Sequence, residues 1–555
     1  MNRLEIRDVL KRTALYARVL YKTRALFHSR PAGLLEVVRS EVSGVSGPSV
    51  MYRVNAKNLP EKNAIVSREG RRTFRELDRR IDALGHGLVR RRLLGPLSAL
   101  IIMRNRPELL EAQTAVARLG GSAVCVSWRS TSAEIVYLAD HAGANVAFVE
   151  SSVADALIAA KDQLHPELQR NLVIVGGEKE GFILFESIVE DGDSNRAPLG
   201  AGSRVDRGDG GAIVIYTSGT TGKPKGAVRR FSKHAVDGAM HFIDQTPIRS
   251  SDRHLVVCPM YHSTALGFLG LTFLVGGTLV LDGEFDPERT LAAIDREHVT
   301  TTAMVPTMLH RILELGPRII GKYDTRTLRA VFSSGSSLSA ELARAFMDAF
   351  GYVLYNFYGS TETGINTLAS PQDLIRSPGT IGRAVPGNEI RLLDDRGKEV
   401  PVGQTGELFV RNTMLVDGYH RDTEATVASM REGFFSVGDL GHVDARGFFH
   451  LDGRKRDMII TGGVNVYPVE VEGALLSHPA VAEAAAVGVS DREWGERVRA
   501  FVSLRPGERV EAPELIAHVR QRLSGAKVPR EVVFLPELPK NPTGKILKNA
   551  LRSLP

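Results

Sequence analysis

Tyr216-Thr217-Ser218-Gly219-Thr220-Thr221-Gly222-Lys223-Pro224-Lys225-Gly226 is the stretch on which the reading of this chain turns. It follows Ala212-Ile213-Val214-Ile215, whose length and branched side chains predict a buried strand. Three glycines, two lysines and four serine or threonine hydroxyls then crowd the connection to the next apolar segment. Glycine lets a backbone fold tightly with its N–H groups turned inward, and hydroxyl and ammonium groups around such a turn hold polyphosphate oxygens. The pattern is not the nucleotide loop GxxxxGK[ST], because Pro224 follows Lys223. A bare cluster of this composition also reads as a polar hairpin turn, by the ordinary preferences of these residues.

At 555 residues the chain is too long for one ordinary core, so two or more domains are expected. Its 43% hydrophobic and 24% charged content is that of a soluble globular protein. Cys125 and Cys258 each lie in an apolar segment and read as buried thiols in a reducing compartment. No CxxC, HExxH or clustered His pattern occurs, so no protein-built transition-metal site is expected. Charges interrupt every apolar run near the N-terminus, which argues against a secretory signal and for a cytoplasmic location. The apolar stretch 264–281 nearly reaches membrane-spanning length. It holds four glycines and ends in a β-rich Thr-Leu-Val-Leu, so a buried helix running into a buried strand is the better reading.

The net charge of +7 is unevenly placed. Residues 1–41 hold nine Lys/Arg against four acidic residues, which is five of the seven excess charges. So local an excess gives no support to a nucleic-acid partner. Within residues 1–50, read as an arm, Ile6, Val9, Leu10, Ala14, Ala17, Leu20 and Tyr21 recur at helical spacing, with basic residues mostly opposite. Two readings stay open: a basic amphipathic helix on the inner face of an anionic membrane, or a helix packed on the body with a solvated basic face. The run 43–49, SGVSGPS, reads as a linker.

Beyond it, strand-like and helix-like segments alternate: 63–67, 72–92, 99–103, 107–119, 123–126, 133–141 and 146–149. That alternation argues for parallel α/β layers. Residues 186–210 are polar and read as a surface loop, and 457–555 as a small α+β unit.

Four separated motifs, in order, resemble those of the adenylate-forming superfamily, which includes acyl-CoA synthetases, luciferases and peptide-synthetase adenylation domains. The first is the opening stretch; the resemblance makes Thr217, Ser218, Gly219, Thr220, Thr221, Gly222, Lys223 and Lys225 a holder of the ATP phosphates. In the second, Tyr358-Gly359-Ser360-Thr361-Glu362 is similar to YGxTE, implying that Tyr358 contacts adenine, Thr361 the phosphate region and Glu362 the Mg²⁺. Third, Asp439 resembles the acid that holds the ribose hydroxyls, with Arg454 reaching the nucleotide, Arg456 at the hinge and Gly462-Gly463 lining a pantetheine tunnel. Last, Pro539-Lys540-Asn541-Pro542-Thr543-Gly544-Lys545 resembles the motif carrying the adenylation lysine, Lys545. His262 falls where relatives line or gate the acyl site, and Gly335-Ser336 where they form part of the nucleotide pocket. Ser337 stands where the family often has Pro, and Arg456 where it commonly has Asp or Lys.

The resemblance implies a large N-terminal multi-layer α/β domain at 51–455 and a small mobile C-terminal α+β domain at 456–555. It also implies an acid–thiol ligase using ATP, Mg²⁺ and coenzyme A. A carboxylate is ionised at pH 7 and needs no general base to attack a phosphate, so positioning and charge neutralisation should carry the reaction. The favoured expectation is a fatty acid–CoA ligase for medium or long chains, since 264–281 suits an aliphatic chain. The alternatives are an aryl-acid CoA ligase and a fatty acyl-AMP ligase loading a carrier protein. The latter carry an inserted segment, and none is evident between Glu362 and Asp439.

Overall fold

In the computed structural model, residues 3–43, 48–93, 97–193, 211–217, 225–230, 235–540 and 546–554 are described. Two large sheets dominate them. One runs Gly418–Tyr419, Lys225–Arg230, Ala212–Thr217, Ser122–Val126, Ser98–Ile102, Val146–Glu150, Leu172–Val175 and Ile183–Leu184. The other centres on Leu354–Ser360, Ala330–Ser333, Thr301–Met304, Arg253–Val256, Thr278–Leu281 and Asn63–Ser67, with antiparallel strands at both edges. The central strands of both pair in parallel. In the first sheet, near-continuous Val, Ile, Leu and Ala fit this, because a strand covered by helices on both faces needs no polar alternation. Ser98–Ile102 is buried at all five positions. A third, antiparallel sheet holds Gly406–Arg411, Asp439–Val443 and Phe449–Arg454.

The fourth sheet belongs to the small C-terminal unit: Val464–Val466, Ile459–Thr461, Gly495–Leu504 and Val481–Asp491, with Glu531–Phe534 alongside. Large and small α/β parts therefore appear as expected. Local signals place many boundaries. Thr73 caps Phe74–Arg90 in a reciprocal capping box with Glu76, and Thr131 and Glu134 repeat the device at Ser132–Ala142. The apolar stretch 264–281 becomes the helix Ser263–Leu274 and the buried strand Thr278–Leu281. Among the described residues no helix is long and apolar enough to cross a membrane. Both cysteines are buried free thiols.

Three expectations need correction. Residues 186–210 are not loop throughout: Phe185–Gly192 is a helix whose Phe185, Ile188 and Val189 are buried, while 194–210 lie outside the described residues. Pro48 and Ser49 do not extend a linker but open the helix Pro48–Asn58, since proline is well placed in a first helical turn. Finally, the helix Arg3–Lys22 packs through a different face from the one its periodicity picks out. Leu15 and Val19 are buried among Phe242, Phe268, Phe332 and Phe357, whereas Val9, Leu10 and Tyr21 are exposed.

Polar contacts beside that seam hold the helix to Ala235–Asp244. The Tyr16 hydroxyl donates to Asp237 at 2.6 Å, Arg12 pairs with Asp237 at 2.8 Å, and Arg18 pairs with Asp244 at 2.7 Å. Here tertiary partners override a wider apolar stripe. Val19→Ala is expected to cost about 2 kcal/mol, and Leu10→Ala less than about 0.5 kcal/mol, by the difference between a buried and an exposed truncation. Scanning calorimetry of the two variants checks this; equal shifts would mean the helix is not seated through Val19.

Candidate active site

Asn105, just past the strand Ser98–Ile102, donates to the Val256 and Cys258 carbonyls at 3.2 and 3.0 Å, so the carboxyl ends of one strand from each large sheet meet, where loops of an α/β fold bind ligands. Thr217 ends the strand Ala212–Thr217 and pairs with Lys225, the first residue of Lys225–Arg230. The expected phosphate loop therefore hangs on a hairpin stem. Ser218, Gly219, Thr220, Thr221, Gly222 and Lys223 lie outside the described residues, as does the Thr217 side chain. Lys225 stands 3.7 Å from Asp422 and 5.2 Å from the centre of the Tyr419 ring.

Tyr358 and Gly359 lie in the strand Leu354–Ser360, and Thr361-Glu362-Thr363 turn the chain into Gly364–Ala369. Gly359 is required by close approach: a Cβ there would fall 2.0 Å from the Gly364 carbonyl oxygen. The Ser360 hydroxyl accepts from the backbone N–H of Glu362 and of Thr363 at 3.2 and 3.0 Å, fixing the turn. Glu362 is buried, and the Tyr419 hydroxyl donates to its Oε1 at 3.1 Å. Burial, then the nearby Glu362 carboxylate, push the Tyr419 phenol well above its ordinary pKa. Arg229 donates to the backbone carbonyls of Thr361 and Met414 at 2.6 and 2.7 Å. Burial lowers its pKa, with Glu362 and Asp417 opposing.

Asp439 forms the second half. It opens Asp439–Val443 directly across from Arg454, the last residue of Phe449–Arg454. Arg454 Nε donates to Asp439 Oδ1 at 2.9 Å, and the Tyr358 hydroxyl donates to Oδ2 at 2.8 Å. Burial and then the Asp439 charge hold the Tyr358 phenol far above its usual range. Burial disfavours the Arg454 cation, but Asp439, Tyr358 and Asp457 together outweigh it and the guanidinium pKa is raised. Tyr358, Asp439 and Arg454, 96 residues apart in sequence, thus form one hydrogen-bonded group. A carboxylate offers about four lone-pair sites, so two protein donors leave Asp439 room for further ones.

His262 precedes the helix Ser263–Leu274 as its N-cap. Its Nε2 is enclosed with no hydrogen-bond partner among the described residues, and burial lowers its pKa to about 4. The imidazole is therefore neutral at pH 7. Ser263 Oγ accepts from the Thr361 hydroxyl at 3.1 Å, which joins this helix to the Glu362 turn. Gly335, at φ +89°, and exposed Ser336 follow the strand Ala330–Ser333.

Arg456 sits in the short turn Lys455–Asp457, where Lys455 pairs with Asp395 and Glu407, and Asp457 with Arg552. Gly462 and Gly463 are the two-residue turn between Ile459–Thr461 and Val464–Val466, with φ of +56° and +79°. Such a hairpin turn demands positive φ at both positions, and the Trp494 ring lies 2.6 Å from where a Gly462 Cβ would stand. Lys545 lies outside the described residues; its flanks, Lys540 and Ile546, pair as a β-bridge.

Tyr419, Arg229 and Ser263 escaped the sequence reading. A lone cation on a strand reads as solvated, and nothing local shows that the Arg229 guanidinium is buried against the Glu362 turn.

The model of the AMP-binding enzyme family matches residues 52–420, and that of the AMP-binding enzyme C-terminal domain matches residues 470–545. The chain belongs to the AMP-binding enzymes. An indoleacetate–CoA ligase of Aromatoleum aromaticum is 36% identical to it, over 81% of this chain and 86% of the relative. A feruloyl-CoA synthase of an Amycolatopsis species is 33% identical, over 90% and 96%. Among solved structures, the anthranilate CoA ligase AuaEII in complex with anthranoyl-AMP superposes with a TM-score of 0.82 at 26% identity, covering 92% of this chain and 97% of that one.

If the Asp439 group holds a nucleotide, Asp439→Asn removes one charge-assisted acceptor worth about 1.5–3 kcal/mol. The expected result is a ten- to hundred-fold fall, roughly, in kcat/KM for ATP in pyrophosphate exchange. An unchanged value would remove Asp439 from the nucleotide site.

Proposed function

We propose that this AMP-binding enzyme is an ATP- and Mg²⁺-dependent ligase joining an aromatic carboxylic acid to coenzyme A through an acyl-adenylate. The observation that carries the reading is the 33–36% identity, over most of the chain, to ligases named for indoleacetate and ferulate. A fatty acid, the favoured expectation from the sequence, yields here to the aryl alternative. The structure supports the change. The helix Ser263–Leu274, expected to suit an aliphatic chain, spends its bulky side chains elsewhere: Phe268, Leu269, Leu271 and Phe273 are buried in the core. Gly267 and Gly270, four and seven residues after Ser263, share its face. A Cβ at either would meet nothing within 4 Å. That face starts beside Thr361 and offers a flat backbone wall, suited to a planar ring.

In this reading the protein mainly positions and neutralises. The Tyr358–Asp439–Arg454 group receives the ribose and fixes the nucleotide, while the loop from Thr217 to Lys225 receives the β- and γ-phosphates. Glu362 fits a Mg²⁺ partner, because that ion prefers hard oxygens and usually takes one or two carboxylates from protein. When bound, the ion would neutralise phosphate charge. The Tyr419 hydroxyl and the Arg229-held turn keep the Glu362 carboxylate in place. Neutral His262 offers a polar edge to the acid without adding a charge. Lys545 is assigned to the acid carboxylate and α-phosphate, so that attack leads to acyl-adenylate and pyrophosphate. For the thiol step, residues 456–555 would turn about Arg456 relative to 51–455 and bring the Gly462-Gly463 turn toward a pantetheine arm.

Mass spectrometry of products from ATP, Mg²⁺ and CoA with indoleacetate, ferulate, anthranilate and a fatty-acid series tests this. Aryl-CoA formed in preference to fatty acyl-CoA is expected; preferential fatty acyl-CoA would restore the aliphatic reading, and adenylate that ignores CoA would point to carrier loading. A second measurement reads the pocket itself. Gly267→Leu is expected to raise KM for the aryl acid about tenfold or more while leaving KM for ATP within about twofold, since a large side chain would fill the ring's space. Equal effects on both would place Gly267 outside the acid site.

A further inference from the structure

The helix Pro31–Ser43 is packed inside out. Its inward positions are Gly33 and Glu36: a Cβ on Gly33 would fall 2.0 Å from Asn58 Oδ1, and Glu36 is 7% exposed, with Arg39 3.1 Å from its carboxylate. Outward point Leu34, Leu35, Val37 and Val38, between 41% and 66% exposed. An ordinary surface helix does the reverse. The preceding turn, Ala25–His28, adds exposed Leu26 and Phe27, and Phe27 lies 6.0 Å from exposed Tyr21 at the end of the first helix. Of the twenty-two large apolar residues exposed among the described residues, nine fall between Val9 and Val38. A concentration of this kind marks an interaction surface rather than scattered exposure.

Charge selects the occupant. Residues 21–40 carry Lys22, Arg24, Arg30 and Arg39 against one acid, Glu36; Lys22 Nζ donates to the Ile243 and Asp244 carbonyls and Arg39 pairs with Glu36, so Arg24 and Arg30 supply the outward charge. A second copy related by a twofold axis would set this cationic rim against itself. An anionic bilayer surface takes both parts: the apolar side chains enter the headgroup boundary, the aromatic pair sits at its level, and the cations meet lipid phosphates.

We propose that residues 21–39 form a peripheral docking surface for anionic membranes. The element responsible is this inverted helix and the turn before it, not the packed face of Arg3–Lys22, and the inference does not depend on which acid the enzyme activates. The full chain is sedimented with vesicles of phosphatidylcholine alone or mixed with phosphatidylglycerol. Wild-type protein is expected in the pellet only with the mixed vesicles, with binding that weakens as salt rises. Leu34→Glu, Leu35→Glu and Val38→Glu together are expected to lower partitioning about tenfold or more, and Arg24→Glu with Arg30→Glu by a similar factor. Both variants should keep wild-type ATP–pyrophosphate exchange, because these side chains lie outside the nucleotide and acid sites. The proposal is overturned if wild type stays in the supernatant with both vesicles, or if the triple variant pellets like wild type. It is overturned equally if wild type is a solution dimer that the triple variant splits while neither binds lipid.

Discussion

Asp439 is the acceptor through which two sheets hold one another. Its two oxygens take a phenol from the nine-stranded sheet and a guanidinium from the strand that leads into the C-terminal unit. Neither donor tolerates its position without the carboxylate. A tyrosine hydroxyl in a dry site needs an acceptor, and a buried cation needs a counter-charge, so removing Asp439 would leave two desolvated donors at once. The same interaction settles the orientation of Tyr358, whose ring packs among Ile381, Leu392 and Leu408 while its hydroxyl is committed to Asp439.

The Glu362 turn follows a related logic. A buried carboxylate and the turn that carries it are held by groups outside their own strand: the Tyr419 hydroxyl donates to the carboxylate, Arg229 donates to the Thr361 carbonyl, and Ser263 Oγ accepts from the Thr361 hydroxyl. These contacts join three elements around the three-residue turn Thr361–Thr363. A carboxylate held this way has little reorganisation left to undergo, which suits the cation role proposed for it.

Much of the architecture was legible in the sequence because its signals are local. The helix of segment 72–92 was readable because its start is local: Thr73 and Glu76 cap one another across three residues. Apolar runs such as 99–102 announce buried parallel strands because no alternation is needed there. The motifs led to Asp439, Arg454, Tyr358 and Glu362, and the structure brings the first three together in one group. Arg229, Tyr419 and Ser263 were not legible, since each acts on a partner more than fifty residues away. The apolar stripe of the first helix misled for the same reason: Leu15 and Val19 are buried because an aromatic cluster from four other segments happens to receive them.

By itself the sequence determined the fold class, the two-part α/β organisation and the family, because periodicity, capping and ordered motifs are written residue by residue. It also carried the charge excess of the arm. The tertiary structure alone decided which face of each arm helix is buried, that Ser263–Leu274 keeps its large side chains in the core and turns glycines outward, and which donors hold Asp439 and Glu362. Those outcomes depend on what lies opposite a side chain after folding, and burial and hydrogen-bond partners across hundreds of residues leave no local trace in the chain.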